Sequence, residues 1–291
     1  DNSLLDGAQN IPSVLETITD LGMDSVALTE HGNLFGAVSF YKKAKDKNIK
    51  PIIGCEVYVA KGSRFQKDRS SGIGQYNHLV LIAQNYQGYK NLMKIVTHGY
   101  LEGFYYKPRV DTEILKKYNE GIICLSACLK GILPETLIYN GLEAGKQVAE
   151  EYSSIFPGRY YIELQNHGIP EELQNIQLAT KLAKEMNLPI IATNDAHYAK
   201  KEHYKAHDVH ICIGTGKHLS DKNRLKYPGH EFYFKSQDEM FSLFKQFPEA
   251  LENTRALADS VDLQIPMEDY HLPWYSIPGD KKSKDIDEYL K

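Results

Sequence analysis

The chain has 291 residues, a formal net charge of -4, 42% hydrophobic and 25% charged residues. That balance suits a globular protein able to bury a core, as one large α/β domain or two small ones. No apolar run approaches the roughly 20 residues of a membrane span, so no membrane partner is expected, and the slightly acidic charge argues against a dedicated duplex-DNA binder, which is normally basic.

In chain order, Val14, Leu15, Ile18 and Leu21 fall at helical spacing, which predicts a helix over 11–22 that Gly22 stops. A strand at 25–29, a helix at 35–47 and a strand at 51–59 follow. Residues 60–76 are polar and glycine-bearing, carry Arg64, Lys67 and Arg69, and read as a mobile loop. Strands are then expected at 78–83, 122–126, 160–165 and 189–193, with helices at 86–100, within 131–156 and at 170–187. Repeated βα units imply a parallel sheet covered on both faces and closed or nearly closed. Beyond residue 200 the pattern turns helical and irregular. From 266 to 291 a Pro- and Lys-rich stretch reads as a linker after a domain spanning 1–265. The chain enters a helix almost at once, whereas a βα barrel needs a strand first, so the first strand is expected to be missing. No leader is expected ahead of the fold. Cys55, Cys124, Cys128 and Cys212 show no disulfide-framework spacing, so a reduced, cytoplasmic setting is expected.

The strongest local signal is Leu188-Pro189-Ile190-Ile191 running into Ala192-Thr193-Asn194-Asp195-Ala196-His197. A buried strand ending in Asp-x-His presents a carboxylate and an imidazole where α/β enzymes place their chemistry. The 25–29 strand likewise runs into Glu30-His31-Gly32. The candidates at strand ends are Asp6, His31, Glu56, His78, Cys128, Asp195 and His197. Mixed imidazole and carboxylate donors suit zinc, manganese or iron better than magnesium or calcium. They exceed what one tetrahedral ion needs, so a cluster of two or three ions is expected, with Glu56 a bridging carboxylate. Such a cluster activates water and neutralises the oxygens of a phosphoester. The expected reaction is metal-assisted phosphoester hydrolysis, with Glu56, Asp195 and His197 as catalytic residues.

Other readings stay open. A His-Gly pair such as His31-Gly32 also ends strands without binding anything. Glu30 is either a ligand or a supporting residue, and Cys128 is either a ligand or a small buried hydrophobe. Cys124 is expected in the core. His78 begins its strand, the wrong end in a strictly parallel barrel, unless 51–59 and 78–83 form a hairpin. His207 and His210 are expected on a helix away from the cluster, and the remaining histidines in ordinary structural roles.

These residues resemble the PHP (polymerase and histidinol phosphatase) domains of bacterial replicative DNA polymerase III alpha subunits. The resemblance rests on Ser3-Leu4-Leu5-Asp6-Gly7, Leu28-Thr29-Glu30-His31-Gly32-Asn33, Ile53-Gly54-Cys55-Glu56-Val57-Tyr58, His78-Leu79-Val80-Leu81, Leu101 through Arg109, Cys124 through Leu129, Asn194-Asp195-Ala196-His197-Tyr198 and Tyr270-His271-Leu272-Pro273. It implies a distorted βα, TIM-like barrel with a metal cluster at the carboxyl ends of its strands, held by the same seven residues. It also implies an opening His-x-His pair immediately upstream of Asp1, and an Asp where Glu30 stands. Some domains of this family act as metal-dependent 3′–5′ proofreading exonucleases, and others are inactive scaffolds that stabilise the polymerase and dock a separate proofreading subunit. Metal-competent side chains at all seven positions favour the active kind. The implied partners are a DNA 3′ end, the rest of the polymerase alpha subunit and other replisome subunits. Tyr105, Tyr106, Lys107 and Arg109 join aromatic faces to cations, as a single-strand end requires, and Arg64, Lys67 and Arg69 could do the same. A solvated surface with packed tyrosines is the competing reading. A small-molecule phosphatase is a third possibility, disfavoured by the motifs after residue 100.

Overall fold

A computed structural model describes residues 3, 6–67 and 75–267. Arg69, the Tyr270–Pro273 motif and all but two residues of the expected linker lie outside the described residues. Helix α1 (Ile11–Asp20) starts where Asn10 accepts the Ser13 N–H through its side chain, and Ile11, Val14, Leu15 and Ile18 face the core. Strand β1 (Ser25–His31), helix α2 (Ala37–Asp46), strand β2 (Lys50–Ala60) and strand β3 (Tyr76–Ala83) follow. After α3 (Tyr86–Leu101) comes a hairpin of β4 (Phe104–Tyr105) and β5 (Lys107–Val110), then the short α4 (Thr112–Lys117) capped by Asp111. The sequence pattern did not announce these three elements, which are too short to show a period.

The chain continues through β6 (Ile122–Leu125), α5 (Ile132–Asn140), α6 (Leu142–Ile155), β7 (Tyr160–Leu164), α7 (Pro170–Met186) and β8 (Ile190–Ala192). Helices α8 (Tyr204–Thr215), α9 (Gln237–Leu243) and α10 (Pro248–Ser260) complete it. The sheet order is β1-β2-β3-β6-β7-β8, with β5 pairing the last residues of β2 beyond the end of β1. Strands β1, β2, β6, β7 and β8 run the same way, and β3 alone among these six runs against them. The expectation of a wholly parallel sheet is thus corrected, and the hairpin that would reconcile His78 with the site is present. The reversal brings the start of β3 to the end of the sheet where the other five strands finish.

Among the described residues the sheet curls through a half-barrel and does not close. No strand precedes α1 among the described residues, and β1 and β8 each have a single strand neighbour. A cavity of about 410 Å³ lies inside the curl, walled by side chains such as Val26, Ile52, Val80 and Ile191. Helix α10 covers β8: the Asn253 amide donates to the Ile190 carbonyl (2.8 Å) and the Thr254 hydroxyl to that of Ala192 (2.7 Å). These bonds satisfy edge carbonyls that would otherwise lack partners. The inner strands are mostly apolar, with buried polar exceptions such as Glu56, His78 and Glu163, and Cys124 lies in the core as expected.

Candidate metal centre

Register assembles the site. His31 is the last residue of β1 and pairs side by side with Glu56 of β2. Glu56 in turn faces Val80 of β3, two residues from His78, so Glu56 and His78 share a face as diagonal neighbours. Three strands therefore deliver His31, Glu56 and His78 to one surface. His31 Nδ1 lies 3.0 Å from Glu56 Oε1, and His78 Nδ1 lies 2.7 Å from the same oxygen. Cys128, just past β6, places its sulfur 3.6 Å from His78 Nδ1. On the other side of His31, Nε2 is 3.2 Å from Asp6 Oδ1. The Tyr227 hydroxyl donates to Asp6 Oδ2 (3.1 Å) and sits 2.7 Å from His197 Nε2.

The side chains form two triads of convergent donors, Asp6–His31–His197 and Glu56–His78–Cys128, whose candidate ligand atoms within each triad all lie within 4.8 Å of one another. Asp6 Oδ1, His31 Nδ1 and Glu56 Oε1 are buried, close together, and without a well-directed hydrogen bond. Buried polar atoms in that condition are rare unless an ion or water satisfies them. Nitrogen, oxygen and sulfur donors together fit zinc, manganese or iron. The residues present therefore fit a divalent metal cluster.

The electrostatics agree. Burial favours the neutral form of His31, yet the carboxylates of Asp6 and Glu56 close beside its ring push its pKa up to about 11. Burial would likewise raise both carboxyls, but Asp6 is held well below its usual range by His31 and then His197, and Glu56 by His78 and His31. Two ionised carboxylates around an imidazole that keeps its proton form a pocket that prefers positive charge. A divalent ion entering it would displace that proton.

The profile of the PHP domain family matches residues 1–167. The chain belongs to this family. As a PHP domain it is similar to the DNA polymerase III subunit alpha of Borreliella burgdorferi, at 45% identity over all of this chain and 25% of that protein. The corresponding subunit of Thermus aquaticus is 40% identical over 95% of this chain and 23% of its own length. The PHP chain thus spans about a quarter of the length of these curated relatives. A putative metal-dependent phosphoesterase of Bifidobacterium adolescentis superposes at a TM-score of 0.43 with 11% identity, covering 84% of this chain and 93% of its own. That likeness is too slight to add to the assignment.

Six of the seven expected ligands of this PHP domain fall within the triads. Asp195 does not: its Oδ1 stands 3.8 Å from His197 Nδ1, at the rim, on a residue with φ of +41°. Glu30 takes the supporting role, its buried carboxylate accepting the Gly36 N–H (3.0 Å) ahead of α2. His207 was expected away from the cluster and lies beside it, with Nε2 donating to the Asp6 carbonyl at 2.7 Å. Helix α8 folds back over the site, which local sequence cannot announce. Tyr227 was missed because it lies in an irregular stretch with no periodic or motif signal.

The nucleic-acid candidates divide. Tyr106 is 63% exposed, and Lys107 holds its ammonium 5.2 Å from the centre of the Tyr58 ring, which stacks near His31. The β4–β5 hairpin is pressed against the site at Gly32, whose φ is +66° and where a Cβ would come within 2.9 Å of Pro108 and Tyr58. Arg109 does not face solvent. It is fully buried, and its guanidinium donates to the carbonyls of Gly103 (3.2 Å) and Gln66 (2.7 Å), so it holds the loop rather than a strand. Arg64 is corrected in the same way: it is 4% exposed and pairs with Asp111 (3.0 Å), Glu113 (3.0 Å) and Glu102 (2.6 Å). Lys67 remains at the surface.

Glu163 of β7 lies behind the triads, buried against the cavity. Burial, aided by the charges of Asp195 and Glu56, pushes its carboxyl up to about 7 despite hydrogen bonds from Thr193 and Gln165. Its protonated form is therefore favoured by folding. The stability it contributes is fully present below the unfolded value near 4.5 and lost as pH rises through 7. With metal removed, Glu163→Gln should lose less stability than the unaltered protein between pH 5 and pH 8, as read by urea denaturation at both.

Proposed function

We propose that this chain is the PHP domain of a bacterial replicative DNA polymerase and hydrolyses phosphodiesters at DNA 3′ ends, as a metal-dependent 3′–5′ proofreading exonuclease. The observation that carries the reading is the pair of triads, each with its candidate ligand atoms within 4.8 Å, set side by side through the 3.0 Å contact of His31 Nδ1 with Glu56 Oε1. Bound zinc, manganese or iron, as two or three ions, would supply an activated water and positive charge for the phosphoester oxygens.

The chain's own groups do the rest. Asp6, His31 and His197 would hold one ion, and Glu56, His78 and Cys128 another, with Glu56 placed between the two imidazoles of His31 and His78. Tyr227 spans Asp6 and His197 through its hydroxyl and fixes both. Asp195, at the rim beside His197, is positioned to orient or take a proton from a group entering the site. We assign Tyr105, Tyr106 and Lys107 of the hairpin to the strand end, by stacking and charge. Lys107→Ala should weaken single-strand binding and reduce the salt slope by about one, measured by fluorescence anisotropy across a salt series. That its relatives are DNA polymerase III alpha subunits makes a cytoplasmic location, and assembly with polymerase and replisome subunits, part of the same proposal.

The test is Mn²⁺- and Zn²⁺-dependent degradation of single-stranded and mispaired 3′ ends by the full-length protein, with Asp195→Asn as control. Degradation abolished by the substitution supports the nuclease. A folded, ion-loaded protein that leaves the ends intact would favour the scaffold reading.

A further inference from the structure

We propose that Glu163 is a positioning residue that braces both triads at once, coupling the geometry of the Cys128 side to that of the His197 side. Each of its carboxylate oxygens is committed to a different half of the site. Oε2 accepts the Ala127 N–H at 2.9 Å, immediately before Cys128. Oε1 accepts the Thr193 hydroxyl, two residues before Asp195, and the Gln165 amide at 3.1 Å. The Glu163 backbone joins the same turn, its N–H donating to Ser126 Oγ at 2.8 Å. A single buried carboxylate on β7 thus ties the turn after β6 to the turn after β8.

Both turns need a tie. Ala127 has φ of +65° and Asp195 has φ of +41°, left-handed conformations that cost non-glycine residues energy and persist only when surroundings hold them. Each strained residue adjoins or precedes a triad member, Cys128 on one side and His197 on the other. The strain aims those side chains, and Glu163 is the group shared by the two strained turns. A simple core role would call for an apolar side chain here, since the neighbours of β7 are apolar and an unpartnered carboxylate would be expensive. Groups that orient ligands from behind typically contribute ten- to a hundredfold in metal affinity.

This inference rests on the triads being metal sites, and the experiment separates the two. Co²⁺ is titrated into the full-length protein, with total affinity read by calorimetry and the Cys128 side by the thiolate charge-transfer absorption. The unaltered protein is expected to bind with that band present; no binding by it would remove the metal reading and this inference with it. Glu163→Ala should lose about tenfold or more at both triads, with the thiolate band shifted or lost. Glu163→Gln, which keeps an acceptor and a donor in place, should restore affinity to within about threefold on the same scale. A folded Glu163→Ala protein with unchanged affinity and band would overturn the proposal, as would a loss confined to one triad. Should Glu163→Ala fail to fold, Thr193→Val decides. Weakening of the non-thiolate site alone is expected from it, and unchanged binding would count against the brace.

Discussion

Glu56→Gln is expected to lower divalent-ion affinity by at least about a hundredfold and to abolish 3′-end hydrolysis, because even groups that only orient ligands account for ten- to a hundredfold. Glu56 is the carboxylate that two imidazoles face, at 3.0 Å from His31 and 2.7 Å from His78. The substitution keeps the side chain's size and removes its charge. His31 then loses one of the two carboxylates that keep its proton on, and the Glu56–His78–Cys128 triad loses its only anionic oxygen. Calorimetric titration of Mn²⁺ or Zn²⁺ and the nuclease assay read the two losses separately. Affinity within threefold of the unaltered protein would show that Glu56 is a buried partner of the histidines and no more.

The second large effect is on stability. Arg64→Ala should cost about 3 kcal/mol or more, because removing one partner of a buried ion pair strands the other. The group left without its cation is Asp111, which loses the guanidinium at 3.0 Å and keeps only backbone donors, the Arg64 N–H at 2.9 Å and the Ile114 N–H that it caps. Ion affinity and the salt dependence of single-strand binding should not change. The opposite pattern, an unchanged denaturation midpoint with a reduced salt slope, would return Arg64 to the strand-binding surface.

Arg64 and Arg109 mark where sequence reading stopped. Both sit among polar or aromatic neighbours in the chain, the composition of a solvated loop, yet their partners come from elsewhere: Asp111 lies 47 residues beyond Arg64. Burial created by long-range pairing leaves no local trace. The candidate ligands were legible for the opposite reason. His31, Glu56 and Cys128 stand in or just after apolar strands, where an unneeded polar group would be costly, so residue type and strand position together point to the site. His78 became intelligible only with the antiparallel pairing of β2 and β3, which moves a strand's first residues to the site's end of the sheet. Tyr227 and His207 reach the site from irregular or helical segments after residue 200, whose packing depends on the completed half-barrel. The long amphipathic helices and apolar strands were visible from their periods. The β4–β5 hairpin and α4 were too short to have one.

The most direct measurement is an anomalous-scattering map of the full-length protein crystallised with Mn²⁺ or Zn²⁺. The account predicts separate peaks bounded by Asp6, His31 and His197 and by Glu56, His78 and Cys128. Occupied sites elsewhere, with both triads empty at saturating ion, would contradict it.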